Sequence, residues 1–440
     1  MAVFRIRGGK SLQGEVRAGG RKNSALAVLP AALLADAPVR LENLPDILDV
    51  AGMIALLRGT GAGVRWAGAG AVWIDPARVA PLPLDADWGG RLRASYYLLG
   101  VLLGRVGEAD VPLPGGCDIG LRPIDQHLKG FAAMGAEVQV AHGRVRARAA
   151  RLHGAHIYLD VTSVGATINL ILAAARAEGT TIIENAAKEP HVVDVVSLLL
   201  AMGASIVGAG TDVIKIRGRS AMDGCQHAII PDEIEAATYM IAASATRGRV
   251  TVAGVIPRHL EPITAKLREA GVTVEEGGDW VRVEAPGRCR AVTVKTLPYP
   301  GFPTDAQQPM TALLTTADGT STVTESIWDG RFRFLDEMAR MGARVRVEGR
   351  TAVVEGVAQL DGARVRATDL RGGAALVVAG LSASGDTEIE SAEVVDRGYE
   401  ALEEKLRGLG GDIRRVGGPI GDQDRPGPSP ITTVLRRIPS

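Results

Sequence analysis

Apolar positions along the chain recur in one order: a stretch with helical spacing, a glycine, and then a stretch in which apolar and polar residues alternate. The first spacing is typical of an amphipathic helix, and the second of a strand with one buried face. The glycine between them indicates a tight turn. The pattern occurs six times, at a period of about 70 residues, with its turn glycine at Gly61, Gly135, Gly203, Gly271, Gly342 and Gly410.

A second pattern alternates with the first, in which a helix of small residues ends in a turn and leads into an alternating strand, as in AALLADAPVRLENL and VAGLSASGDTEIES. Each unit therefore predicts the order helix, strand, loop, helix, strand, strand. The period is longer than the roughly 20–50 residues of ordinary solenoid repeats. Since six units divide into two groups of three, we expect two globular domains with three repeats each.

The loop after the first strand of each unit carries unusual polar residues. Equivalent loops of repeated units should lie on equivalent rims, and two such rims could face each other across a cleft, where ligand sites usually occur. The polar residues of these loops are Asp49, Arg122, Glu189, His191, His259, Arg331 and Arg397.

Composition narrows the classes of function. Aromatic residues make up only 4% of the chain, so aliphatic side chains must build the core. The 50 basic and 50 acidic residues balance, which argues against a protein held on nucleic acid or on a membrane by its own charge. No apolar run is long enough to span a membrane. Three cysteines without a CxxC pair favour a reducing cytoplasm over a disulfide framework or a structural zinc site.

The segment VPLPGGCDIGLRPIDQHLKG contains the first candidate catalytic residue. Its prolines and glycines predict a flexible turn that presents Cys117 at the tip. A single cysteine is more often a small buried apolar residue, but the neighbours here are glycines and Asp118. Because Asp118 opposes formation of a thiolate, a thiol that donates a proton is favoured over a nucleophile.

A second candidate feature is a set of cationic residues in loops and at helix starts. Lys22 and Asn23 come near the start of an apolar helix, where backbone N–H groups and the helix dipole favour an anion. Each of the others alone is more often a surface residue, but together they suit a small anion with both phosphate and carboxylate groups. They are Arg93, Arg122, Arg331, Arg371 and Arg397.

Two further positions have both a structural and a functional interpretation. Asp305 comes just before a predicted helix, where it is either an N-cap or a general base. Ser163 opens another helix in SVGAT, and capping explains it equally well. The seven histidines are dispersed, so we expect no metal site. Neither a P-loop nor a Rossmann glycine motif is present in the sequence.

Ordered motifs resemble the UDP-N-acetylglucosamine 1-carboxyvinyltransferase family of enolpyruvyl transferases, over nearly the whole chain except its tail. They are LQGEV, KNSAL, LRAS, LPGGCDIGLRPIDQHLKG, SVGAT, EGTTIIENAAKEP, PDEIEA, PGFPTD, ATDLR and DRGYE. The resemblance implies an α/β fold of the inside-out barrel type, with two domains of three βαβαββ-like repeats each. The implied domains are residues 22–229 and residues 1–21 with 230–418. We predict that the proline-rich tail, residues 419–440, is mobile.

The implied reaction transfers the enolpyruvyl group of phosphoenolpyruvate to the 3′-hydroxyl of UDP-N-acetylglucosamine and releases phosphate, without a cofactor or metal. It would be the first committed step of peptidoglycan synthesis. Cys117 is implied to protonate C3 of phosphoenolpyruvate and to make the family sensitive to fosfomycin, and Asp305 is implied to be the base. Lys22, Arg122 and Arg397 are implied to hold the phosphate group. Arg331 and Arg371 are implied to hold the carboxylate.

The resemblance also implies a binding site for the sugar nucleotide. The residues implied for the sugar are Asn23, Asp305 and Ile327, and those for the uridine diphosphate are Arg93, Arg122, Pro123, Ile124, Asp125, Gln126, Ser163, Val164 and Gly165. Some positions depart from the family pattern, among them Leu48 and Val161, where some members carry lysine. Two alternatives therefore stay open: an enolpyruvyl transferase acting on another acceptor, such as a different uridine nucleotide, and a non-catalytic regulator that binds the nucleotide.

Overall fold

The computed structural model describes residues 2–113 and 123–417, which form two compact units. Unit A comprises residues 20–113 and 123–230, and unit B comprises residues 2–19 and 231–417. Cys117, Arg122 and the tail for which the sequence predicts mobility lie outside the described residues.

Helices and strands alternate along both units. The strands are β1 Val3–Arg7, β2 Gln13–Arg17, β3 Val39–Glu42, β4 Gly63–Trp66, β5 Val72–Asp75, β6 Glu108–Pro112, β7 Glu137–Ala141, β8 Arg144–Arg148, β9 His156–Tyr158, β10 Thr180–Glu184, β11 Ser205–Val207, β12 Val213–Arg217, β13 Gln226–Ala228, β14 Arg249–Ala253, β15 Thr273–Glu276, β16 Trp280–Glu284, β17 Thr293–Lys295, β18 Thr320–Thr324, β19 Arg344–Glu348, β20 Thr351–Glu355, β21 Arg364–Arg366, β22 Asp386–Glu390 and β23 Asp412–Val416. The α-helices are α1 Lys22–Ala31, α2 Leu48–Gly59, α3 Ala86–Arg91, α4 Tyr97–Val106, α5 Asp125–Ala133, α6 Val164–Ala174, α7 Pro190–Ala201, α8 Glu233–Ala245, α9 Pro257–Glu269, α10 Thr304–Leu314, α11 Phe334–Arg340, α12 Leu370–Ser382 and α13 Leu402–Gly408. Short 3₁₀ helices cover Ala32–Leu34, Arg93–Tyr96 and Ala392–Arg397.

The described strands form six small sheets, and most of these sheets share one topology. In unit A, β9 lies parallel to β10, β10 is antiparallel to β12, and β12 is antiparallel to β11. Helix α6 connects the parallel pair, and α7 leads into the antiparallel hairpin. The repeat therefore runs β-α-β-α-β-β, which confirms the predicted fold class.

One repeat departs from this topology. Its sheet, in the order β6-β8-β7, has three strands where the other five sheets of the described residues have four. In place of a first strand, the chain forms α3 and the 3₁₀ helix Arg93–Tyr96 immediately before α4. The repeat pattern of the sequence does not predict this change.

Both units are completed by strands that are distant in sequence. In unit A, β13 lies parallel to β3 and supplies the first strand of the first repeat. In unit B, β2 lies parallel to β14, and β1 lies antiparallel between β22 and β23. The two N-terminal strands therefore complete two repeats of unit B: β2 completes the first and β1 completes the last.

The six turn glycines have nearly the same backbone conformation. Their φ angles lie between +87° and +90°, in the left-handed region that other residues rarely adopt. Each follows a helix and precedes a strand, as in the path from α2 through Gly61 to β4. The turns predicted from the sequence are thus confirmed at all six positions.

Helices are buried more completely than strands, which is the inside-out character of the fold. In α8, all residues from Glu233 to Ser244 are buried, whereas β12 buries only every second residue. Aliphatic residues dominate the core of each unit. Small residues allow the helices to approach closely: the backbone N–H of Gly100 in α4 donates to Asn169 Oδ1 in α6 at 2.8 Å.

We predict that Gly100→Ala destabilises the protein. A Cβ at Gly100 would lie 2.3 Å from the backbone oxygen of Asn169, and such overpacking costs about 1–3 kcal/mol of unfolding free energy. Gly59→Ala is the matched control, because its Cβ would meet no atom within 4 Å near the end of α2. That substitution should stabilise by up to about 1 kcal/mol through helix propensity. Urea unfolding followed by circular dichroism measures both, and equal midpoints for the two variants would contradict the packing.

Candidate active site

Three residues predicted from the sequence meet in unit B. Asp305 lies in the first turn of α10, Arg331 lies in the loop after β18, and Arg371 lies in the first turn of α12. Asp305 Oδ1 binds Arg331 Nη2 at 2.6 Å, and Asp305 Oδ2 binds Arg371 Nη2 at 3.2 Å. The guanidinium side chains are 6% and 4% exposed, against 24% for Asp305. One carboxylate thus connects two buried cations and still reaches solvent. We call these three residues the carboxylate bridge.

Asp305 is not the N-cap of its helix. The cap is Pro303, which makes no side-chain capping bond, and Thr304 is the first helical residue. Asp305 therefore points its carboxylate at the two arginines, without an N-cap role. By contrast, Ser163 is the N-cap of α6, with Oγ accepting from Ala166 N at 3.3 Å, which confirms the capping interpretation at that position.

Two polar residues that the sequence patterns did not indicate support the bridge: the buried Gln308 and the half-buried Asp369. Asp369 is the N-cap of α12, and its Oδ1 accepts from the backbone N–H groups of Arg371 and Gly372 at 3.0 Å. Gln308 accepts from Arg331 Nη1 at 3.2 Å and donates to Asp369 Oδ2 at 3.3 Å. Gln308 thereby joins the Arg331 loop to the start of α12. The only signal in the sequence was the capping residue type of Asp369 ahead of an apolar helix.

Three buried nitrogen atoms of the two arginines have no hydrogen-bond acceptor in the described part of the chain. Within residues 2–113 and 123–417, Arg371 Nε and Nη1 and Arg331 Nε are buried without a hydrogen-bond acceptor. The guanidinium of Arg371 lies 5.1 Å from the ring centroid of Tyr399. Burial acts to lower the pKa of Arg371, but Tyr399, Asp305 and Asp232 outweigh it and raise this pKa above its ordinary value. A charged guanidinium with unused buried donors is suited to a carboxylate or a phosphate.

Ile327 and Arg397 lie in neighbouring loops of unit B. Ile327 follows β18, and its backbone N–H donates to Glu325 Oε1 at 2.8 Å. Arg397 is the last residue of the 3₁₀ helix Ala392–Arg397, which packs against α12. The two arginines predicted for matching loops, Arg331 and Arg397, do follow equivalent strands, β18 and β22.

In unit A, Lys22 is the first residue of α1, as predicted, and Asn23 follows it. Lys22 Nζ binds Asp49 Oδ2 at 2.9 Å, and the two side chains are 14% and 8% exposed. Asp49 lies in the first turn of α2. The helix start that was predicted to favour an anion thus has a protein carboxylate beside its lysine.

Arg93 and the start of α6 both contact Tyr96. The Arg93 guanidinium lies 5.4 Å from the Tyr96 ring centroid, and burial lowers the pKa of Arg93. At Gly165, a Cβ would lie only 2.5 Å from the Tyr96 hydroxyl. The structure therefore brings together the predicted residues Arg93 and Ser163–Gly165, with Val164 as the first residue of α6.

His127 is a buried, neutral histidine in the same part of unit A. Its Nδ1 lies 3.0 Å from Asn169 Nδ2, and the Asn169 Oδ1 accepts from Gly100 N. Asn169 Nδ2 is therefore the donor, so the imidazole proton must be on Nε2. Burial, with a contribution from Arg93, lowers the pKa of His127 to about 3. The histidines are dispersed in the sequence, so the sequence gave no indication that His127 is buried and neutral.

The segment from Pro123 to Gln126 leads into α5, where Asp125 is the first helical residue. Gln126 Nε2 donates to Asp125 Oδ2 at 2.9 Å and to Asp160 Oδ2 at 3.1 Å, and Gln126 Oε1 accepts from Asp160 N at 3.0 Å. These bonds tie the start of α5 to the chain just before α6, and Ile124 is buried beside them.

The remaining predictions concern residues outside the described part of the chain, the lack of a metal site and the lack of a membrane-spanning segment. Cys117 and Arg122 lie outside the described residues. Among those described, His, Cys, Asp and Glu form no group of three that could hold a metal ion. None of the described helices is both long and apolar enough to cross a membrane.

Comparisons with known proteins identify related sequences along nearly the whole chain. A family model described as EPSP synthase (3-phosphoshikimate 1-carboxyvinyltransferase) matches residues 6–406. UDP-N-acetylglucosamine 1-carboxyvinyltransferase 3 of Caldanaerobacter subterraneus is 58% identical over 94% of this chain and 100% of its own length. UDP-N-acetylglucosamine 1-carboxyvinyltransferase 2 of Geobacillus kaustophilus is 57% identical over 94% of this chain and 97% of its own.

Solved structures share the same fold. The enolpyruvyl transferase NikO from Streptomyces tendae matches 95% of this chain and 99% of its own, with 31% identity and a TM-score of 0.85. EPSP synthase from Acinetobacter baumannii matches 95% of this chain and 100% of its own, with 19% identity and a TM-score of 0.72. At that identity, the second likeness shows the fold alone.

We predict that His127 makes stability depend on pH. Its pKa is lowered to about 3 in the folded chain, against about 6.5 unfolded, so its stabilising contribution is present above pH 6.5 and is lost as the pH falls. The loss should reach about 2 kcal/mol of unfolding free energy at pH 5. His127→Gln should remove this component, and His153→Gln, at an exposed histidine, should not. Urea unfolding at pH 7 and pH 5 measures it; an unchanged pH dependence in His127→Gln would contradict the assignment.

Proposed function

The chain belongs to the family of the EPSP synthases and UDP-N-acetylglucosamine 1-carboxyvinyltransferases, and from this we propose that it transfers the enolpyruvyl group of phosphoenolpyruvate to the 3′-hydroxyl of UDP-N-acetylglucosamine, releasing phosphate. The reaction would be the first committed step of peptidoglycan synthesis. The names of the full-length relatives support this choice of acceptor. The observation that carries the proposal is the carboxylate bridge, which combines a carboxylate with two arginines whose buried donors are unused.

In this proposal, Arg331 and Arg371 bind the carboxylate of phosphoenolpyruvate. Three nitrogen atoms of the two guanidinium groups have no acceptor among the described residues: Nε and Nη1 of Arg371 and Nε of Arg331. Nε and Nη1 lie on different edges of the Arg371 guanidinium, so each can donate a separate, charge-assisted hydrogen bond. Because both side chains are buried, these bonds form in a medium of low dielectric constant, where they are stronger than in water.

Asp305 is the proposed general base for the sugar hydroxyl. Each of its carboxylate oxygens binds one guanidinium and has a further lone pair that can accept the hydroxyl proton. Its partial exposure, 24%, leaves room for the acceptor to approach. Ile327 and Asn23 are proposed to contact the sugar.

The proposed chemistry is an addition followed by an elimination. Cys117 donates a proton to C3, which gives C2 cationic character, and the acceptor oxygen bonds to C2 as Asp305 takes the hydroxyl proton. C3 then returns a proton to the Cys117 thiolate, the bond from C2 to the phosphate oxygen breaks, and the enol ether and phosphate are formed. Lys22, Arg122 and Arg397 are proposed to bind the phosphate. Lys22 can keep its bond to Asp49 meanwhile, since its ammonium has three donors.

The uridine diphosphate is proposed to bind along Arg93, Arg122 to Gln126 and Ser163 to Gly165. The start of α6 offers the positive end of a helix dipole, which suits a diphosphate. The reaction needs neither a metal nor a cofactor in this proposal. The cytoplasmic location and the exclusion of nucleic acid stay predictions.

Phosphate release tests the proposed function. Phosphoenolpyruvate is supplied with UDP-N-acetylglucosamine, and separate reactions contain shikimate 3-phosphate or uridine monophosphate instead. Release that requires UDP-N-acetylglucosamine is the expected result. Release only with another acceptor would overturn the proposed substrate, and binding of the sugar nucleotide without any release would favour a non-catalytic regulator.

Asp305→Asn should lower kcat by about 10²–10⁴-fold, the usual contribution of a general base. The amide keeps the size of the side chain, so the Kd of UDP-N-acetylglucosamine should change by less than about tenfold. Stopped assays of phosphate release give kcat, and calorimetry gives Kd. A kcat near that of the unmodified enzyme would remove Asp305 as the base.

Arg371→Lys should raise the KM of phosphoenolpyruvate, because a lysine ammonium does not reproduce the fixed planar donors with which a guanidinium can bind Asp305 and a substrate carboxylate at the same time. We expect an increase of about 10–100-fold, with a smaller change in the KM of the sugar nucleotide. Arg340→Lys is the matched control, since the Arg340 side chain is 62% exposed and lies on the surface of α11. Steady-state kinetics measures both, and equal KM values for phosphoenolpyruvate in the two variants would contradict the assignment.

A further inference from the structure

Glu325 is a buried carboxylate that has only neutral hydrogen-bond partners among the described residues. It follows β18 and is 1% exposed. Its Oε1 accepts from Thr296 Oγ1 at 2.9 Å and from the backbone N–H groups of Ile327 and Trp328 at 2.8 and 3.1 Å. Its Oε2 accepts from Thr304 Oγ1 at 2.8 Å. Burial of an ionised carboxylate is costly, so this arrangement calls for an explanation.

The same position in two other repeats holds an asparagine that ties strand ends together, and Asn185 Oδ1 also accepts from Thr162 Oγ1 at 2.8 Å. Asn43 follows β3 and Asn185 follows β10, with φ angles of 56° and 57°. Their Nδ2 atoms donate to the backbone oxygens of Ile229 and Leu159 at 2.8 and 2.9 Å. Ile229 and Leu159 are the residues directly after the parallel neighbour strands β13 and β9. An asparagine here therefore ties together the ends of two parallel strands.

Glu325 makes the same tie with the donor and acceptor exchanged. Thr296 directly follows the parallel neighbour β17, so it corresponds to Ile229 and Leu159. Its hydroxyl donates to the Glu325 carboxylate. Unlike Asn43 and Asn185, Glu325 does not adopt a positive φ. The strand tie alone thus needs no carboxylate, because asparagine performs it in two other repeats.

The additional bonds of Glu325 reach the proposed active site from two directions. Thr304 is the first residue of α10 and directly precedes Asp305. Ile327 is in the loop that continues to Arg331, which binds Asp305. The loop from Glu325 to Arg331 is therefore fixed to the start of α10 at both of its ends, through Thr304 and through Asp305.

We propose that Glu325 is a positioning residue for the acceptor substrate, because it holds the loop of Ile327 against the helix start that carries Asp305. This inference rests on the proposed function, in which Asp305 is the base and Ile327 contacts the sugar. A carboxylate suits this position since it accepts all four hydrogen bonds, whereas the isosteric glutamine would turn an NH₂ group toward some of the donors. Glu325 itself is buried and acts through its neighbours.

The test compares four variants. Glu325→Gln replaces one acceptor oxygen by an NH₂ group in a side chain of the same size. Thr304→Val removes the hydroxyl that donates to Glu325, and with it the link to α10. Thr304→Ser keeps the hydroxyl and should restore the link. Thr322→Val is the matched control, because its hydroxyl bonds to Thr293 Oγ1 on the neighbouring strand β17 at 3.2 Å and reaches neither Glu325 nor α10.

For Glu325→Gln and Thr304→Val we expect kcat/KM for UDP-N-acetylglucosamine to fall by about 10–100-fold, as for other residues that orient a catalytic group. The KM of phosphoenolpyruvate should change by less than about threefold. Thr304→Ser and Thr322→Val should stay close to the unmodified enzyme in both parameters. Thr304→Val should unfold at the same urea midpoint as Thr322→Val.

Three results would overturn the inference: an unchanged kcat/KM in Thr304→Val, equal effects on both substrates, or a loss of activity that follows only a loss of stability. Failure of the proposed function looks different. If the unmodified enzyme uses another acceptor, the same ranking of variants is measured with that acceptor. If it has no turnover, the Kd of UDP-N-acetylglucosamine is measured by calorimetry instead. Glu325→Gln and Thr304→Val must then bind more weakly than Thr304→Ser and Thr322→Val, and equal Kd values would reject the positioning role.

Discussion

The shared ion pair of Asp305 with Arg331 and Arg371 is the interaction on which the proposed chemistry depends. Two guanidinium groups that are almost fully buried need a carboxylate nearby, and Asp305 serves both with one oxygen each. The same carboxylate is the proposed base, so the group that neutralises the arginines also meets the acceptor. Gln308 and Asp369 fix the positions of the two arginines: Gln308 accepts a hydrogen bond from Arg331, and Asp369 caps the start of α12, where Arg371 lies. In the proposed mechanism, substrate binding and proton transfer are therefore coupled at Asp305.

The repeats explain how such a cluster can be assembled from distant segments. Each unit uses the same β-α-β-α-β-β element, so the loop after the central strand of each repeat has an equivalent place in the fold. In two repeats an asparagine ties the strand ends together, and one of them, Asn185, also accepts a hydrogen bond from Thr162. In the repeat of β18, a glutamate makes that tie and also holds the loop that leads to Arg331. In the proposed function, the site therefore uses local departures at equivalent positions of one repeated scaffold.

The sequence predicted the repeat well because its signals are local. A glycine at a positive φ and a change from helical to alternating spacing lie within about a dozen residues of each other, and all six turns are as expected. The three-stranded sheet was missed because α3 replaces a strand without breaking the period. His127, Gln308 and Glu325 were missed because each has a side-chain partner 20 or more residues away in sequence. For Asp305 the sequence left open an N-cap or a general base; the structure excludes the N-cap, and the base stays a prediction. The domain boundaries and the roles of the other site residues, Cys117 and Arg122 among them, also stay predictions.

A crystal structure of the Asp305→Asn variant with phosphoenolpyruvate and UDP-N-acetylglucosamine tests the central claim most directly. The account predicts that the carboxylate of phosphoenolpyruvate accepts hydrogen bonds from the guanidinium groups of both Arg331 and Arg371, which have donors without an acceptor among the described residues of this structure. It also predicts that the 3′-hydroxyl of the sugar lies about 3 Å from the side chain of residue 305, within hydrogen-bond reach. A carboxylate bound away from both arginines, or a hydroxyl out of reach of residue 305, would contradict the account.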